Sequence, residues 1–452
     1  MTRNESLEDL QYQSLPVRDQ IRKFTSAPTA VHDWPVLQAA TMPGLVGEIV
    51  RLTTRDTEID PAAVLISLLV RFGATLGPDV CVPIGEQRHP GRLFAVKVGA
   101  TSRARKGTSE ATIGRVFKCA ESILTREPEL APLRVTGGPL SSGEGIVYEV
   151  RDPAEEDDDD DHDRNKKRGD PGVLDKRLLI IEQEFGGTLR VLQRDGNTLS
   201  AILRMAYDNG DIEPITKNNR IKATGAHICA IGHITQEELE HYLNKTEIWN
   251  GLANRFLWVC VQRQNLVPIP RPIPQQELDQ IAKRLAEAIR FGRQHDTVDF
   301  SPSAEAVWMS EYAELTEDYP GVLGAITSRA EAHARRLMLI YTLLDCSPVT
   351  EESHVRAALA FCDYCRDSAR FTFGDAETDP AGKKLLAALE RGPMSRTAIS
   401  ELFSKHYSRR RLDRLIEPLV SSNTIKVITK KGKGPPTDVY ELVASCDQEG
   451  AK

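Results

Sequence analysis

Short runs of aliphatic residues, separated by helical segments, most constrain how this chain can fold. Four of them, each five or six residues long, are LFAVKV at 93–98, RLLII at 177–181, AHICAI at 226–231 and FLWVCV at 256–261. Runs this short and this apolar are typical of strands that are buried on both faces. Because helical segments separate them, the pattern predicts an α/β fold with a largely parallel sheet.

The chain has 452 residues, which is enough for two or three domains. Its N-terminal segment is polar and lacks sustained periodicity, which predicts a flexible arm. Residues 275–373 show capped helical patterns throughout. The expected organisation is an arm at 1–35, an α/β core at 36–270, a helical subdomain at 275–373 and a small domain at 381–443.

A low-complexity segment interrupts the predicted core at 151–172. It reads RDPAEEDDDDDHDRNKKRGDPG and contains no core-forming run. Such composition predicts a solvated, disordered insertion. Its Asp-His-Asp content could also recruit a metal ion.

No apolar run in the sequence reaches the roughly 18 residues that a membrane-spanning helix needs. The first residues, MTRNESLEDLQYQS, contain no apolar signal segment either. The eight cysteines are scattered, and only Cys362 and Cys365 form a close pair. That pair is either half of a metal site or two small apolar residues one helical turn apart. These features predict a cytoplasmic protein with reduced thiols and no membrane partner.

Charge is distributed unevenly along the chain. The whole sequence has a formal net charge of −7, yet residues 382–442 contain 13 Lys and Arg against 6 Asp and Glu. This asymmetry predicts a basic binding module attached to an acidic or neutral core.

The stretch 93–109, LFAVKVGATSRARKGTS, contains the parts of a phosphate-binding loop. A strand ends at a glycine, a basic loop follows, and hydroxyl side chains stand where the next helix begins. The residues expected to bind phosphate are Gly99, Arg105, Lys106, Gly107, Thr108 and Ser109. Thr108 is also expected to bind Mg²⁺.

The order Lys-Gly-Thr-Ser departs from the regular pattern GxxxxGK[ST]. The interval from Gly99 to the hydroxyl of Thr108 is also longer by about two residues. A basic surface loop is therefore the alternative interpretation.

Polar residues at the ends of other predicted strands could complete a hydrolytic site. Glu182 follows a buried strand, where a carboxylate can hold Mg²⁺ or polarise water. Glu144 lies between two glycines and could orient the attacking water, although an ordinary turn explains it equally well. His233 could sense the γ-phosphate, and Arg255 could stabilise transition-state charge in its own subunit or in a neighbour.

The basic segment 381–443 has the rhythm of a winged helix. Helices are expected near 383–391, 396–403 and 408–421, followed by a β-hairpin that carries the wing KKGKGPPT. The third helix and the wing would contact DNA. The residues expected there are Arg409, Arg410, Arg411, Lys430, Lys431 and Lys433. A purely protein-binding winged helix is the alternative.

Five segments together make residues 43–373 resemble a family of RepA-like, helicase- or primase-associated ATPases of phages, plasmids and actinobacteria. They are GLVGEIVRLTTRDTEIDPAAVLISLLVRFGATLG, VGATSRARKGTS, LSSGEGIVYEVRDP, LLIIEQEFG, and NGLANRFLW with SRAEAHARRLMLIYTLLD. The resemblance implies a RecA-like P-loop core, ATP and Mg²⁺ as ligands, and association with the DNA of mobile elements. It also implies that Glu144 activates water, Glu182 serves the metal, His233 is the sensor and Arg255 is the finger.

The sequence therefore predicts an ATP-dependent, oligomeric motor or switch that acts on DNA, with ATP hydrolase activity of the helicase type. A partner protein of replication or a nuclease fits the same interpretation. The alternative is a non-hydrolysing DNA-binding regulator or adaptor whose degenerate loop binds nucleotide without turning it over.

Overall fold

The computed structural model describes residues 34–99, 104–125, 127, 130–154, 170–214, 221–243, 245–317, 319, 321–373, 380–403, 412, 415–416, 419–420, 424–430 and 437–443. The predicted arm, apart from its last two residues, and most of the predicted acidic insertion lie outside these ranges. The strands are β1 (Cys81–Ile84), β2 (Gln87–Pro90), β3 (Phe94–Gly99), β4 (Val135–Thr136), β5 (Arg177–Glu182), β6 (His227–Thr235), β7 (Phe256–Cys260), β8 (Asp299–Phe300), β9 (Val349–Thr350), β10 (Met394–Ser395), β11 (Ile425–Lys430) and β12 (Thr437–Leu442).

The α-helices alternate with these strands through the first half of the chain and dominate the second. They are α1 (Gly44–Thr54), α2 (Pro61–Leu76), α3 (Lys106–Leu124), α4 (Gly143–Glu149), α5 (Phe185–Leu192), α6 (Leu199–Asp208), α7 (Gln236–Tyr242), α8 (Lys245–Trp249), α9 (Gln275–Gly292), α10 (Pro302–Leu315), α11 (Gly321–Thr327), α12 (Ala330–Leu344), α13 (Glu352–Phe373), α14 (Pro380–Leu389) and α15 (Arg396–Leu402). The protein is thus a mixed α/β protein.

Five parallel strands form the central sheet, in the order β4-β5-β6-β3-β7. All four strands predicted from the apolar runs belong to it. Their side chains alternate between two hydrophobic layers, as the pleat of a strand requires. In β3, Ala95 faces the layer that contains α1, α2, α3, α9, α12 and most of α13, whereas Val96 faces the layer that contains α4 to α7.

The connections between strands diverge at β3. After β3 the chain runs through α3, on the first face of the sheet, to β4 at the far edge. It then returns strand by strand through helices on the second face and passes over β3 to reach β7. The helices that follow β3 and β6 lie on opposite faces of the sheet, and open parallel sheets bind their ligands beside the carboxyl ends of such strands. We call the region at these two strand ends the crevice.

The helix α2 is buried along its whole length, as its apolar sequence predicts. The Asp60 side chain caps it by accepting a 2.9 Å hydrogen bond from the Ala62 amide, and Pro61 occupies the first helical position. Asp60 also accepts hydrogen bonds from Gln262 and Gln264, in the segment that follows β7. The start of α2 is therefore fixed to the carboxyl edge of the sheet.

Two sequence-based expectations need correction. The sequence of 189–207 predicts a single helix, whereas the structure divides this segment between α5 and α6, because Gly196 adopts a left-handed φ of 71° between them. The segment 275–373, predicted as helical throughout, contains the short parallel strands β8 and β9. Both strands are only two residues long, too short to leave a periodic signal.

The C-terminal segment has a hydrophobic cluster of its own. Its buried residues include Leu385, Ile399, Leu415 and Tyr440. The strands β10, β12 and β11 form an antiparallel sheet beside α14 and α15. Of the predicted third helix, positions 412, 415–416 and 419–420 are helical, and its other residues lie outside the described ranges. Among the described residues, no helix is long and apolar enough to cross a membrane.

Candidate functional site

The crevice between β3 and β6 is built around the turn that leads from β3 into α3. Residues 100–103 of this turn lie outside the described ranges. The last residue before the helix, Arg105, adopts a left-handed conformation with φ of 54°. Gly99, the last residue of β3, has no room for a side chain, since a Cβ there would lie 2.7 Å from the Cβ of Ala104. Gly99 and Ala104 therefore lie close together at the site predicted to bind phosphate.

Lys106 places its amine in this crevice. Its Nζ donates a 2.9 Å hydrogen bond to the carbonyl of Ile234, near the end of β6. Burial lowers the pKa of Lys106 to about 8, Glu238 opposes that shift, and Lys97 adds to it. Among the described residues this cation has no ion-pair partner at hydrogen-bond distance, and such a cation is suited to an anionic ligand.

The first turn of α3 offers a second source of positive potential. Arg105 provides no side-chain cap, and the first amides of an α-helix have no acceptor within the helix. Gly107 and Thr108 are exposed, so their backbone groups can be approached by a ligand. Ser109, by contrast, is buried, and its Oγ donates a 2.7 Å hydrogen bond to the carbonyl of Lys106. The side chain of Ser109 therefore points into the protein.

Arg105 does not point into the crevice. Its guanidinium binds Glu58, with Nη2 2.6 Å and Nε 2.9 Å from Oε2. Glu58 also accepts a hydrogen bond from the Val267 amide and lies 3.6 Å from Arg263. Arg105, which was predicted to bind phosphate, therefore binds Glu58, and Glu58 in turn contacts the segment after β7.

A buried polar cluster lies directly beneath the first turn of α3. Lys97 Nζ donates hydrogen bonds to Ser67 Oγ at 2.5 Å, to Ser109 Oγ at 2.8 Å and to Glu110 Oε1 at 2.5 Å. Ser67 Oγ donates to the same Glu110 oxygen at 2.8 Å, and His233 Nε2 lies 3.6 Å from it. All five side chains are at least nine-tenths buried. The cluster joins α2, α3, β3 and β6.

The charges of this cluster support one another. Burial alone would raise the pKa of Glu110, but Lys97 and His233 outweigh it and lower that pKa to about 2. Burial lowers the pKa of Lys97, and Glu110 opposes the shift. Because three polar groups donate to or face one carboxylate oxygen, Glu110 is ionised and Lys97 is its counter-ion.

Lys97, Glu110 and Ser67 were not predicted as functional residues. The signal was present for Lys97, because a lysine at an inward position of the buried run LFAVKV needs a carboxylate partner. Glu110 gave no comparable signal. An acid in the first turn of a helix is common, and nothing in the sequence shows that it faces the sheet.

Glu182 ends β5 on the opposite face of the sheet from Glu110. Its Oε2 accepts hydrogen bonds from the Leu140 amide at 2.9 Å and from Thr188 Oγ1 at 3.3 Å. Its Oε1 accepts one from the Glu184 amide at 3.2 Å. Glu182 thus holds the loop after β4. It belongs to a strand two positions from β3, roughly 10 Å away, so a metal shared with Thr108 would have to bridge that interval.

Glu144 is exposed in the first turn of α4, capped by Ser142, rather than in an isolated turn. It follows the carboxyl end of β4, and β4 is three positions from β3 in the sheet, so the ends of these two strands are on the order of 14 Å apart. Among the described residues, no group of three or more His, Cys, Asp and Glu side chains could hold a metal ion.

Arg255 lies at the other edge of the sheet. It precedes β7, whose first residue pairs with Phe94 at the amino end of β3. This places it roughly 20 Å along the strands from Gly99. It forms a 2.6 Å ion pair with Asp208, which Arg329 also contacts at 3.2 Å. Arg255 is therefore not part of its own chain's crevice.

Cys362 and Cys365 are both buried on α13. Burial raises the pKa of Cys362 to about 12 and that of Cys365 well above its ordinary value. Both thiols are therefore protonated near neutral pH and pack as small apolar groups, the second of the two interpretations of this pair.

The predicted DNA-binding residues fall almost entirely outside the described ranges. Arg409, Arg410, Arg411, Lys431 and Lys433 are outside them, and only the backbone of Lys430, at the end of β11, is described.

The structure thus brings together Gly99, Lys106, Thr108 and His233 at one crevice, and it leaves Glu144 and Glu182 further along the same edge. Arg255 lies apart from both groups. No protein-family model matches this chain, and no curated protein matches it significantly.

Proposed function

We propose that this chain is a RecA-like P-loop ATPase that binds MgATP in the crevice between β3 and β6 and couples it to DNA. The observation that carries the proposal is the Lys106 amine, held in a crevice at the point where the chain connections diverge, beside the uncapped start of α3. A triphosphate there would meet a cation, free helix amides and the carboxyl ends of parallel strands.

The backbone at Arg105 supports a modified phosphate loop. In the pattern GxxxxGK[ST], a glycine precedes the lysine, because the loop must turn sharply there. Arg105 stands at that place, before Lys106, with a left-handed φ of 54°. The loop thus keeps a left-handed conformation that favours glycine, although the residue is an arginine.

The cofactor fits the donor set at this edge. Lys106 and the amides of Gly107 and Thr108 would hold the phosphates, and the Thr108 hydroxyl would face the metal. Mg²⁺ would neutralise charge on the phosphate oxygens. Glu182 would reach the metal through water, because its oxygens already accept hydrogen bonds from Leu140 and Glu184.

The remaining predicted site residues divide between the carboxyl ends and the amino ends of the strands. Glu144 and His233 lie at the edge that carries the crevice and would orient the attacking water and sense the phosphate. Arg255 lies at the opposite edge, so as a finger it would act on the nucleotide of a neighbouring subunit. The proposal therefore includes a homo-oligomer with a head-to-tail interface.

We further propose that the C-terminal segment is a winged helix that binds DNA. Its described helices and its antiparallel hairpin, together with the net positive charge of 382–442, support this part. The resemblance to RepA-like ATPases of mobile elements is consistent with a helicase-like motor that works with a replication or nuclease partner.

A second function is favoured by two observations. Both oxygens of Glu182 are already hydrogen-bonded within the chain, and Gly107 separates Lys106 from the hydroxyl of Thr108, unlike in the regular pattern. A regulator or adaptor that binds nucleotide without hydrolysing it needs only the phosphate contacts.

Steady-state ATP hydrolysis with Mg²⁺, with and without DNA, separates the two. We expect turnover in the wild type and its loss, on the order of 100-fold or more, in Lys106→Ala. Lys118→Ala, which removes an exposed cation from the same helix, is the control. Binding without turnover would favour the regulator, and equal turnover in wild type and Lys106→Ala would refute the site.

A further inference from the structure

We infer that Glu110 is a positioning residue that fixes the tautomer of His233, so that the ring carries its proton on Nε2 and offers Nδ1 as an acceptor. The group that His233 contacts must then bear a proton, as water does, so His233 would sense the γ-phosphate through the attacking water and not by direct contact with a deprotonated phosphate oxygen. The identity of that group as the attacking water rests on the proposed function, whereas the tautomer does not.

The geometry brings the ring and the carboxylate together from two elements. His233 on β6 pairs in register with Lys97 on β3, so both side chains leave the same face of the sheet. Both reach Glu110 Oε1 on α3, at 3.6 Å from His233 Nε2 and 2.5 Å from Lys97 Nζ. Nε2 is buried and, among the described residues, has no hydrogen-bond partner. A closure of about 0.5 Å would make the bond.

The chemistry of that oxygen decides which group donates. Glu110 is ionised, since the buried Lys97 ammonium donates to Oε1 and forms an ion pair with it, and an ionised carboxylate only accepts hydrogen bonds. A ring nitrogen directed at it is stable only as N–H. The alternative, a lone pair on Nε2 facing the carboxylate, would place two acceptors against each other in a buried site.

The ring carries one proton, not two. Burial lowers the pKa of His233; Glu110 opposes the shift, and Lys97 and Lys106 add to it. A neutral imidazole has one donor and one acceptor nitrogen, so a proton on Nε2 leaves Nδ1 as the acceptor. The phosphate oxygens of ATP carry no proton at neutral pH that they could donate to Nδ1 of His233, whereas water has two.

The direct test is ¹⁵N NMR of the histidine side chains in the full-length protein, with His233 assigned by His233→Gln. We expect a neutral ring with the proton on Nε2 from pH 7 to pH 8, above the ordinary pKa of histidine. His227 is an internal reference, because its buried Nε2 lies 2.9 Å from the carbonyl of Gly73 and donates to it. A proton on Nδ1 alone, or a doubly protonated His233, would overturn the inference.

Two neutral double variants isolate the acceptor. K97M/E110Q and K97M/E110L both remove the buried ion pair, but only the glutamine keeps an oxygen that can accept from Nε2. We expect the Nε2–H tautomer in the glutamine variant and a shifted tautomer ratio in the leucine variant, with His227 unchanged in both. The same tautomer ratio in both variants would show that Glu110 does not position the ring.

Kinetics extend the test to function. We expect kcat for ATP to be at least about tenfold lower in K97M/E110L than in K97M/E110Q, with similar KM, because the ring would misplace the water without weakening phosphate binding. Equal kcat would refute the water assignment. Absence of hydrolysis in the wild type would refute the proposed function, while the NMR result would still decide the tautomer.

Discussion

Lys97 Nζ and Glu110 Oε1 lie 2.5 Å apart beneath the first turn of α3, and both side chains are buried. The pair joins the strand that ends at the crevice to the helix that begins there. Because Lys97 also donates to Ser109 Oγ, it holds two successive residues of the helix start. The position of the amides in the first turn therefore depends on a buried charge pair.

Removing one member of this pair should destabilise the protein strongly. We expect Glu110→Leu to lower the free energy of unfolding by about 3 to 5 kcal/mol, because it leaves the Lys97 charge buried and unpaired. K97M/E110L should recover most of that loss. Urea denaturation measures both, and a double variant as unstable as Glu110→Leu would contradict a simple ion pair.

The backbone at Arg105 gives a second prediction. Arg105→Gly and Arg105→Ile both lose the ion pair with Glu58, so their difference reports on the left-handed conformation alone. We expect the glycine variant to be more stable than the isoleucine variant by about 1 to 3 kcal/mol. Equal stability in urea denaturation would mean that residue 105 is free to leave that conformation.

The lowered pKa of Lys106 predicts how the affinity for a triphosphate changes with pH. Burial places its pKa at about 8 in the free protein, against an ordinary value of 10.5. As the pH rises from 7 to 9 the amine loses its proton, so the affinity for MgATP should fall. Lys106→Arg, which stays charged, should bind with a nearly constant affinity. A wild-type affinity that does not change over this range would exclude Lys106 from the phosphate contacts.

The Lys106 amine affects the free energy of unfolding in the opposite direction: its contribution to stability rises with pH, whereas the affinity for MgATP falls. Its pKa is lower in the folded chain than in the unfolded chain, so between pH 8 and pH 10.5 the unfolded chain binds more protons at residue 106. The Lys106 contribution to the free energy of unfolding therefore rises with pH across this window. Comparison of wild type with Lys106→Met in urea at pH 7.5 and pH 10 measures it. No difference in the pH dependence of the two proteins would show that residue 106 titrates normally.

The strands of the sheet could be predicted from sequence because each is a short apolar run between polar segments. Their order could not, since the insertion of β6 between β5 and β3 depends on how helices cover the two faces. Arg255 shows the consequence. Its position before β7 indicates the amino edge of a parallel sheet, but its distance from Lys106 follows only once β7 is placed beside β3.

The candidate site was predicted as a set of residues around a loop, and the buried layer behind it was not. Gly99, Lys106 and His233 lie at one crevice because strand ends of a parallel sheet meet at one edge. Glu110 was missed because helical periodicity does not distinguish a charged residue that faces a buried lysine from one that faces water.

The C-terminal segment gives a prediction for DNA binding. Neutralising Arg409, Arg410 and Arg411 to Gln should weaken duplex binding and reduce the slope of log affinity against log salt by up to about 3, one unit per lost phosphate contact. A variant that neutralises Lys118, Arg194 and Lys283, all exposed and in the first 300 residues, is the matched control. Equal slopes in the two variants would remove the third helix from the DNA interface.

Calorimetric titration of the full-length protein with Mg²⁺ and a non-hydrolysable ATP analogue measures directly whether the crevice beside Lys106 binds a triphosphate. We expect one site per chain in the wild type and in Lys118→Ala, and loss of most of the affinity in Lys106→Ala. Absence of binding in the wild type, or equal affinity in wild type and Lys106→Ala, would contradict this expectation.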